Sequence, residues 1–526
     1  MAQTRPPGVS EEEFAQALKR LTDLVGEEHV LTGEEAAAEH RDPYALAGQD
    51  TSVASAVVSP ASTEEVQEIV RLANEYRIPL WTVSQGRNNG YGGAAPRVSG
   101  SVVVSLRRMN RVLEVNEECG YAVVEPGVRY FDLYEHLQAG GHRLMVSVPD
   151  LGWGSVVGNA LDHGVGYEVY GDHAASVCGM EVVLPDGDIL RTGMGAMTGS
   201  KSWHVHTRGF GPSLDDLFKQ SNLGIVTKMG VWLLPTPERF AVGSISVPRR
   251  ADLGPLIDTL RPLMLDRVID GHPVIANPLQ VASTIGPRER WYQKDGPIPD
   301  EAVDEIARTL GIGHWTVRFS VYGPKGVVDA KLAVVEDAFS RIPGAAVVAT
   351  SYPGGAGIDE VERPHLVPAG IPNMDILESV KWYSEQGGHL GFAPVLPLVG
   401  RLVQEWHDRM LPTVERFGFD PFSAMIVTPR SIIDFVPFLY DMNNQEQVRT
   451  AYDCCRVLIK DAAKVGYGEY RAHLDSMDLI AEQFDFNDHA VRRFTEKLKD
   501  AVDPAGILAP GKQGIWPAAL RPARPS

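Results

Sequence analysis

The chain has 526 residues, of which 44% are hydrophobic and 22% charged, and its 49 basic and 68 acidic residues give a net charge of −19. A chain of this length and composition holds two or three globular domains with full-sized cores. The negative charge disfavours nucleic acid and anionic membranes as partners, because the sequence has no basic run to offset it. No apolar run reaches transmembrane length, and the polar start of the chain lacks a signal-peptide core. We therefore expect a cytoplasmic protein that binds neither nucleic acid nor membrane.

The cysteine content argues against a metal or disulfide framework. The four cysteines are Cys119, Cys178, Cys454 and Cys455, and none of them forms a C-x-x-C motif. Zinc sites and disulfide-rich domains have characteristic cysteine spacings that are missing here. We predict four buried free thiols and no metal.

The first predicted elements form a β-α-β unit. Residues 56–59 are a short apolar run, and Ser62 with Glu65 makes a capping box that begins a helix with one apolar face. The next strand is predicted at 79–83 and leads directly into the glycine-rich loop 84–93. Loops at this position of a β-α-β unit commonly meet ligand phosphates.

The loop 84–93, SQGRNNGYGG, has the composition of a phosphate cradle. Glycines tolerate positive φ, so successive backbone amides can turn toward one anion. The spacing is neither G-x-G-x-x-G nor G-x-x-x-x-G-K-[ST], which argues against a Rossmann site and a P-loop. Taken alone, the motif also fits a solvent-exposed turn.

Three further tracts of small residues follow, at 152–159, 164–167 and 221–226. Four such loops in one region predict a long, extended ligand wrapped by backbone. The alternative is a loop-rich α+β domain with ordinary turns.

The remaining elements divide the chain near Pro237. Before it the pattern is β-rich, with strands at 101–106 and 121–128, a helix at 130–137 and a hairpin turn at 185–187. After it helices and strands alternate. The predicted helices are 251–265, 327–339, 403–416 and 450–465, and the predicted strands are 315–321 and 345–350.

Three local features carry chemistry. His389 lies between glycines, which would allow a flat ring to approach closely, although a lone histidine is usually structural. Tyr470 and Arg471, with Tyr91, could hold a phenolate, because a cation and hydroxyl donors lower the pKa of a phenol from its usual value of about 10. Tyr470 and Arg471 alone are more often a surface pair. Asp150 precedes the second glycine tract, where a turn cap is the structural alternative.

Together these segments resemble the vanillyl-alcohol oxidase family of flavoproteins, and most closely its bacterial eugenol oxidases. The similarity lies in residues 84–93, 149–158, 387–392 and 467–471 and extends over nearly the whole chain. It implies an α+β fold of the vanillyl-alcohol oxidase/p-cresol methylhydroxylase type. A two-subdomain FAD-binding domain would comprise residues 1–240 and 468–526, and an α/β cap domain residues 241–467.

The resemblance also implies roles for particular residues. His389 would bond covalently to FAD. The phenolate would be held by Tyr91, Tyr470 and Arg471. Asp150 would act as acid or base near flavin N5. The remaining expected FAD contacts are Ser84, Gly86, Arg87, Asn88, Asn89, Gly90, Gly92, Pro149, Gly154, Ser155, Gly158, Asn159, Gly224, Ile225 and Lys512. The expected substrate pocket consists of Gly391, Ala393, Ala424 and Ile426, and the small Gly391 and Ala393 imply a roomy pocket that admits syringyl rings.

The implied activity is that of a 4-phenol oxidase. A para-substituted phenol such as vanillyl alcohol, eugenol or a 4-alkylphenol would lose a hydride from Cα and pass through a p-quinone methide, and O2 would be reduced to H2O2. The resemblance also implies a homodimer. The rivals are a 4-alkylphenol dehydrogenase with a cytochrome acceptor, an FAD-linked 2-hydroxy-acid dehydrogenase, and a flavin carrier without turnover. The tyrosine linkage of the first rival disagrees with His389, and the second needs carboxylate-binding arginines.

Overall fold

The computed structural model describes residues 4–45 and 52–522. Its first layer is a four-stranded sheet of order β1-β2-β4-β3, in which β2, β4 and β3 run parallel. The strands are β1 (Val30–Thr32), β2 (Ala56–Val58), β3 (Leu80–Val83) and β4 (Val102–Ser105), and the helices are α1 (Glu11–Val25), α2 (Gly33–Glu39) and α3 (Thr63–Tyr76). The predicted β-α-β unit is confirmed, since Ser62 accepts a hydrogen bond from the Glu65 amide at the start of α3.

A second, antiparallel sheet follows, of order β5-β6-β10-β8-β9, beside the two-stranded pair β11-β7. Its apolar side chains form a buried cluster with those of α4 and α5. The elements are β5 (Val112–Asn116), β6 (Tyr121–Val124), α4 (Tyr130–Ala139), β7 (Leu144–Met145), α5 (Val156–Leu161), β8 (Val177–Val183), β9 (Ile189–Arg191), β10 (Ile225–Trp232) and β11 (Leu234–Pro235). Val183 pairs with Ile189, so the predicted hairpin at 185–187 is confirmed.

The third layer is an eight-stranded sheet of order β15-β12-β14-β13-β18-β19-β16, with β17 paired to β19. Helices cover it around the largest buried apolar cluster. The strands are β12 (Arg239–Val247), β13 (Asp270–Ala276), β14 (Trp315–Gly323), β15 (Ala346–Pro353), β16 (Gly387–Phe392), β17 (Val395–Pro397), β18 (Ala424–Val427) and β19 (Ser431–Asp441). The helices are α6 (Leu253–Leu265), α7 (Pro278–Ser283), α8 (Asp300–Leu310), α9 (Lys325–Phe339), α10 (Gly400–Arg416) and α11 (Gln445–Lys464). The predicted helices and strands of this region are present, with ends shifted by a few residues.

The C-terminal segment returns to the first two layers. It contains α12 (Met477–Gln483) and α13 (Phe486–Val502), whose first turn has left-handed backbone at Asn487, Asp488 and His489. Leu80 pairs with Leu508 beside β3. The tail therefore completes a wall begun by the N-terminal half of the chain.

The prediction of four buried thiols is wrong for one cysteine. Cys178, Cys454 and Cys455 are buried, whereas Cys119 is exposed. Cys119 lies in the turn between β5 and β6, where its amide is bound by the Asn116 side chain and its own side chain faces outward. The described residues contain no cluster of histidine, cysteine or carboxylate side chains that could hold a metal ion.

Candidate active site

One cleft is lined by most of the residues predicted to bind a cofactor. Three glycine-rich tracts line it: the loop after β3, the segment that leads into α5 and the loop before β10. Leu508, Ala509, Lys512 and Gln513 of the C-terminal tail line the same cleft. The predicted residues on its wall are Ser84, Gly86, Arg87, Asn88, Tyr91, Gly92, Gly154, Ser155, Gly158, Asn159, Gly224, Ile225, Arg471 and Lys512.

The tract 164–167 does not line the cleft, so the expectation that all four loops wrap one ligand is corrected. Its glycines are needed for internal packing, because side chains of Asn159 and His173 fill the space where Cβ atoms would lie on Gly164 and Gly166. Asn89, Gly90, Pro149 and His389 are likewise absent from the cleft lining.

Polar side chains brace the floor of the cleft. Asn88 Nδ2 donates to Asp162 Oδ2 at 3.3 Å, and Lys512 Nζ lies 3.5 Å from Asp162 Oδ1. Burial by itself would raise the pKa of Asp162, but the charges of Lys512 and Arg471 outweigh burial and hold this pKa below its usual value. The glycine loop and the C-terminal tail are thereby held together by one ionised carboxylate.

Tyr91 and Arg471 lie together on the wall of the cleft. The Arg471 guanidinium carbon lies 4.6 Å from the centre of the Tyr91 ring, and Arg471 Nη2 donates to Asn88 Oδ1 at 2.9 Å. Burial, helped by Tyr470 and opposed by Arg471, raises the pKa of Tyr91 well above its usual value. Tyr91 is thus a neutral hydroxyl donor next to a cation, and this pair suits an oxyanion.

Glu469, which sequence reasoning missed, lies immediately before the Tyr470-Arg471 pair. Its Oε2 accepts the Ala393 amide at 3.0 Å, while Oε1 is buried without a hydrogen-bond partner among the described residues. Burial raises the pKa of Glu469 to about 8. The carboxyl therefore stays protonated and neutral near pH 7 and adds no charge beside Tyr91.

His389 lies on β16 opposite Leu439 of β19, and its ring packs against the glycine loop. A Cβ atom on Gly90 would overlap His389 Nε2, so only glycine permits this approach. Nδ1 is buried and has no partner within residues 4–45 and 52–522, and burial lowers the pKa of His389 to about 4. The imidazole is therefore neutral at physiological pH, which is the nucleophilic form.

Asp150 has two partners that the sequence did not reveal. The Tyr167 hydroxyl donates a short hydrogen bond to Asp150 Oδ2, and Arg318 Nη2 lies 3.7 Å from Oδ1. The Arg318 guanidinium also stacks 4.8 Å from the centre of the Tyr167 ring. Burial is the main cause that raises the pKa of Tyr167 well above its usual value, and the negative charge of Asp150 adds to the effect. A charged side chain inside the apolar strand β14 was the one signal for Arg318.

A buried network supports the segment that carries Asp150. Glu168 Oε2 accepts the Ser147 hydroxyl at 2.6 Å and the Val148 amide at 3.2 Å. His173 Nε2 lies 3.2 Å from the same Ser147 hydroxyl. Burial raises the pKa of Glu168 to about 8 and lowers that of His173 to about 3, so both are neutral.

The residues of the predicted substrate pocket are closely packed around Gly391. A Cβ atom on Gly391 would lie 2.7 Å from the Phe435 ring and 3.3 Å from Tyr91 Oη. Ala393 is fully buried, and Ala424 and Ile426 of β18 pair with Phe435 and Ile433 of β19. Phe435 from the neighbouring strand therefore fills the space that a side chain at Gly391 would occupy, and the acceptance of syringyl rings stays a prediction.

Comparisons with known proteins agree with this geometry. A family model described as an FAD binding domain matches residues 54–193. The flavoprotein subunit of 4-cresol dehydrogenase (hydroxylating) from Pseudomonas putida is 34% identical over 513 residues, which covers 97% of this chain and 97% of the relative. The structure of 4-ethylphenol oxidase from Gulosibacter chungangensis, in complex with isoeugenol, matches with a TM-score of 0.94 and 40% identity over 98% of this chain and 100% of that one. The structure of p-cresol methylhydroxylase with substrate bound matches with a TM-score of 0.93 and 33% identity, and the match covers 98% of this chain and 99% of that one.

The fold and the cleft define an FAD-dependent oxidoreductase. The chain belongs to the vanillyl-alcohol oxidase/p-cresol methylhydroxylase family, and the predicted α+β FAD-binding fold is confirmed. The residues fit FAD, since the cleft is lined by glycine-rich backbone and by the cations Arg87, Arg471 and Lys512. No helix within the described part of the chain is long and apolar enough to cross a membrane.

Proposed function

We propose that this protein oxidises para-substituted phenols at the side-chain Cα. The observation that carries the proposal is the contact between Arg471 and Tyr91 on the wall of the FAD cleft. The phenol would lose its hydroxyl proton and a hydride from Cα and become a p-quinone methide. FAD, when bound, supplies the two-electron acceptor for this reaction. The names of the relatives, a 4-cresol dehydrogenase and a 4-ethylphenol oxidase, support the same substrate class.

The phenol oxygen would be bound by Tyr91, Tyr470 and Arg471. Tyr91 is neutral and Arg471 is cationic, so the pair stabilises a phenolate more than a phenol. The protonated Glu469 leaves this end with a net positive charge. Ionisation of the phenol raises electron density in the ring and makes the para-substituent a better hydride donor.

Asp150 would serve the other end of the substrate. Its Oδ2 accepts the Tyr167 hydroxyl and its Oδ1 faces Arg318, and a carboxylate held in this way could accept a proton from the substrate side chain or from water. Glu168, Ser147 and His173 fix the backbone that carries Asp150, so the carboxylate is positioned before substrate arrives.

We further propose that His389 bonds covalently to FAD. The neutral ring with an unpaired Nδ1, seated on the glycine loop, supports this linkage. The glycine tracts that line the cleft, at 84–93, 152–159 and 221–226, would bind the rest of the cofactor. The roles of Asn89, Gly90 and Pro149 stay predictions. We propose residues 1–240 and 468–526 as the FAD-binding domain and 241–467 as the cap. The homodimer and the cytoplasmic location stay predictions.

The deciding experiment is anaerobic mixing of the purified protein with 4-ethylphenol. We expect the yellow flavin absorbance to bleach, and a stable absorbance would contradict phenol oxidation. Recovery of colour on admitting air, with one H2O2 per turnover, would support an oxidase. Recovery only with an added cytochrome or dye would instead support the dehydrogenase that the 4-cresol relative represents. Bleaching by lactate but not by phenols would support the 2-hydroxy-acid alternative.

A further inference from the structure

Arg318 is a cation whose hydrogen-bonding groups are almost unused. It lies on β14, and 32% of its side chain is exposed. The Arg318 guanidinium donates no hydrogen bond to any residue within 4–45 and 52–522. It lies 4.8 Å from the centre of the Tyr167 ring, and its Nη2 lies 3.7 Å from Asp150 Oδ1. A guanidinium carries five N–H donors in a planar fork that matches a carboxylate. An unfilled fork of this kind next to Asp150 is available to a ligand.

The position of Arg318 complements that of Arg471. Arg471 stacks on Tyr91 at the phenolate end, whereas Arg318 stacks on Tyr167 at the Asp150 end. Ser320, two residues along β14 and on the same face as Arg318, donates to the Tyr167 carbonyl at 3.4 Å and fixes the strand against this tyrosine. The site thus presents one guanidinium to each end of a para-substituted phenol.

We infer that Arg318 recognises a carboxylate at the end of the substrate's para side chain. The inference rests on the proposed phenol oxidation. It specifies 4-hydroxyphenylalkanoates as substrates among the para-substituted phenols. A carboxylate would form the bidentate, charge-assisted pair that Asp150 does not make, since Asp150 stands beyond hydrogen-bond distance from Arg318. The charge of Asp150 would repel the substrate carboxylate. This repulsion is offset by the positive charge of Arg318 and by the hydrogen bond that the Tyr167 hydroxyl donates to Asp150 Oδ2.

The alternative is that Arg318 only orients Asp150. Two matched substrates separate these roles: 3-(4-hydroxyphenyl)propanoate and its primary amide, which have the same size and the same reacting Cα. If Arg318 only orients Asp150, its loss should lower kcat/KM equally for both substrates, because Asp150 acts on the benzylic carbon that they share. If Arg318 recognises a carboxylate, its loss should lower kcat/KM for the acid alone.

The test compares kcat and KM for both substrates in the wild type, Arg318→Met and Arg318→Lys. We expect the wild type to prefer the acid, and we expect the acid-to-amide ratio of kcat/KM to fall about 10- to 100-fold in Arg318→Met, mainly through KM. Arg318→Lys keeps the charge but loses the fork, so its ratio should be intermediate. Arg308→Met, at an exposed arginine paired with Glu305 on α8, is the control.

The outcomes distinguish the inference from the proposed function. If the wild type oxidises neither 4-ethylphenol nor the amide, phenol oxidation itself is wrong. Carboxylate recognition is wrong if the wild type oxidises the amide as well as or better than the acid. It is also wrong if Arg318→Met lowers kcat/KM for both substrates by the same factor. The wild-type comparison decides even if Arg318→Met fails to fold.

Discussion

Gly391 and Phe435 share one small volume between β16 and β19: a Cβ atom on Gly391 would lie 2.7 Å from the Phe435 ring. The same Cβ atom would lie 3.3 Å from Tyr91 Oη, so this volume adjoins the proposed phenolate site. The size of the substrate ring that fits is therefore set by the pair and not by Gly391 alone. A side chain added to Gly391 must displace Phe435, and this overpacking costs about 1–3 kcal/mol.

The first prediction concerns ring size. Phe435→Ala should raise the syringyl-to-vanillyl ratio of kcat/KM about tenfold or more, because it removes the ring that fills the space beside Tyr91. Gly391→Phe should lower activity on both alcohols, and adding Phe435→Ala to it should restore part of the loss. If Phe435→Ala leaves the ratio unchanged, Phe435 does not limit ring access.

The second prediction concerns Arg471. Arg471→Met should lower kcat/KM for 4-ethylphenol by about 30- to 5,000-fold, which is the effect of about 2–5 kcal/mol for leaving a buried oxyanion without its cation. Arg471→Lys keeps the positive charge, so its kcat/KM should fall less than that of Arg471→Met. The same mechanism predicts that 4-methoxybenzyl alcohol is inert, and its ready oxidation by the wild type would rule out a phenolate.

The third prediction concerns His389. Acid precipitation of the wild type should leave yellow, fluorescent flavin on the protein, whereas His389→Ala should release all of its FAD into the supernatant. Reduction by 4-ethylphenol should also be slower in the variant, because loss of the covalent bond lowers the flavin redox potential. Complete release of flavin from the wild type would contradict the linkage.

The fourth prediction concerns pH and Glu168. The pKa of this carboxyl is about 8 in the folded protein and 4.5 when unperturbed, so between these values the folded state binds the extra proton. Stability from this group is therefore present below about pH 4.5 and is lost as pH rises toward 8, by about 1.4 kcal/mol for each pH unit. We expect Glu168→Gln to gain stability relative to the wild type between pH 5 and 8. Urea unfolding at pH 6 and pH 8 measures the difference, and a constant difference would contradict a neutral Glu168.

The fifth prediction concerns the buried pair Lys499 and Asp503, both of which are fully buried. Lys499 Nζ donates to Asp503 and to the carbonyls of Asn222 and Leu508, each at 2.7 Å, and the last two residues line the FAD cleft. Lys499→Met leaves Asp503 unpaired and should cost about 3–5 kcal/mol of unfolding free energy. It should also weaken FAD retention, whereas Lys497→Met on the exposed side of the same helix should do neither. Equal FAD content after dialysis would show that the pair does not shape the cleft.

Local rules predicted the parts of the fold that depend on neighbours in sequence. The capping box at Ser62 and Glu65 marked α3, and the glycine loop after β3 marked the cleft, because each is built from a few consecutive residues. The sequence also signalled α1 through Ser10 and Glu13, a capping box that the prediction did not use.

Contacts across strands could not be predicted in this way. Phe435 meets Gly391 only after β16 and β19 pair in a particular register, and Arg318 on β14 meets Asp150 only after a loop distant in sequence packs beside that strand. The tract 164–167 misled for a related reason: its glycines make room for Asn159 and His173, and nothing in the local sequence distinguishes internal packing from ligand binding.

The wall of the FAD cleft is shared between the glycine loops of the N-terminal half and residues of the C-terminal tail. On the ribosome, the loops at 84–93 and 152–159 emerge long before the tail that closes the cleft, and the β12–β19 sheet is synthesised in between. The nascent chain therefore has no complete FAD cleft while that sheet is being made. The complete cleft forms only once Leu508, Ala509, Lys512 and Gln513 have been synthesised and have folded against these loops.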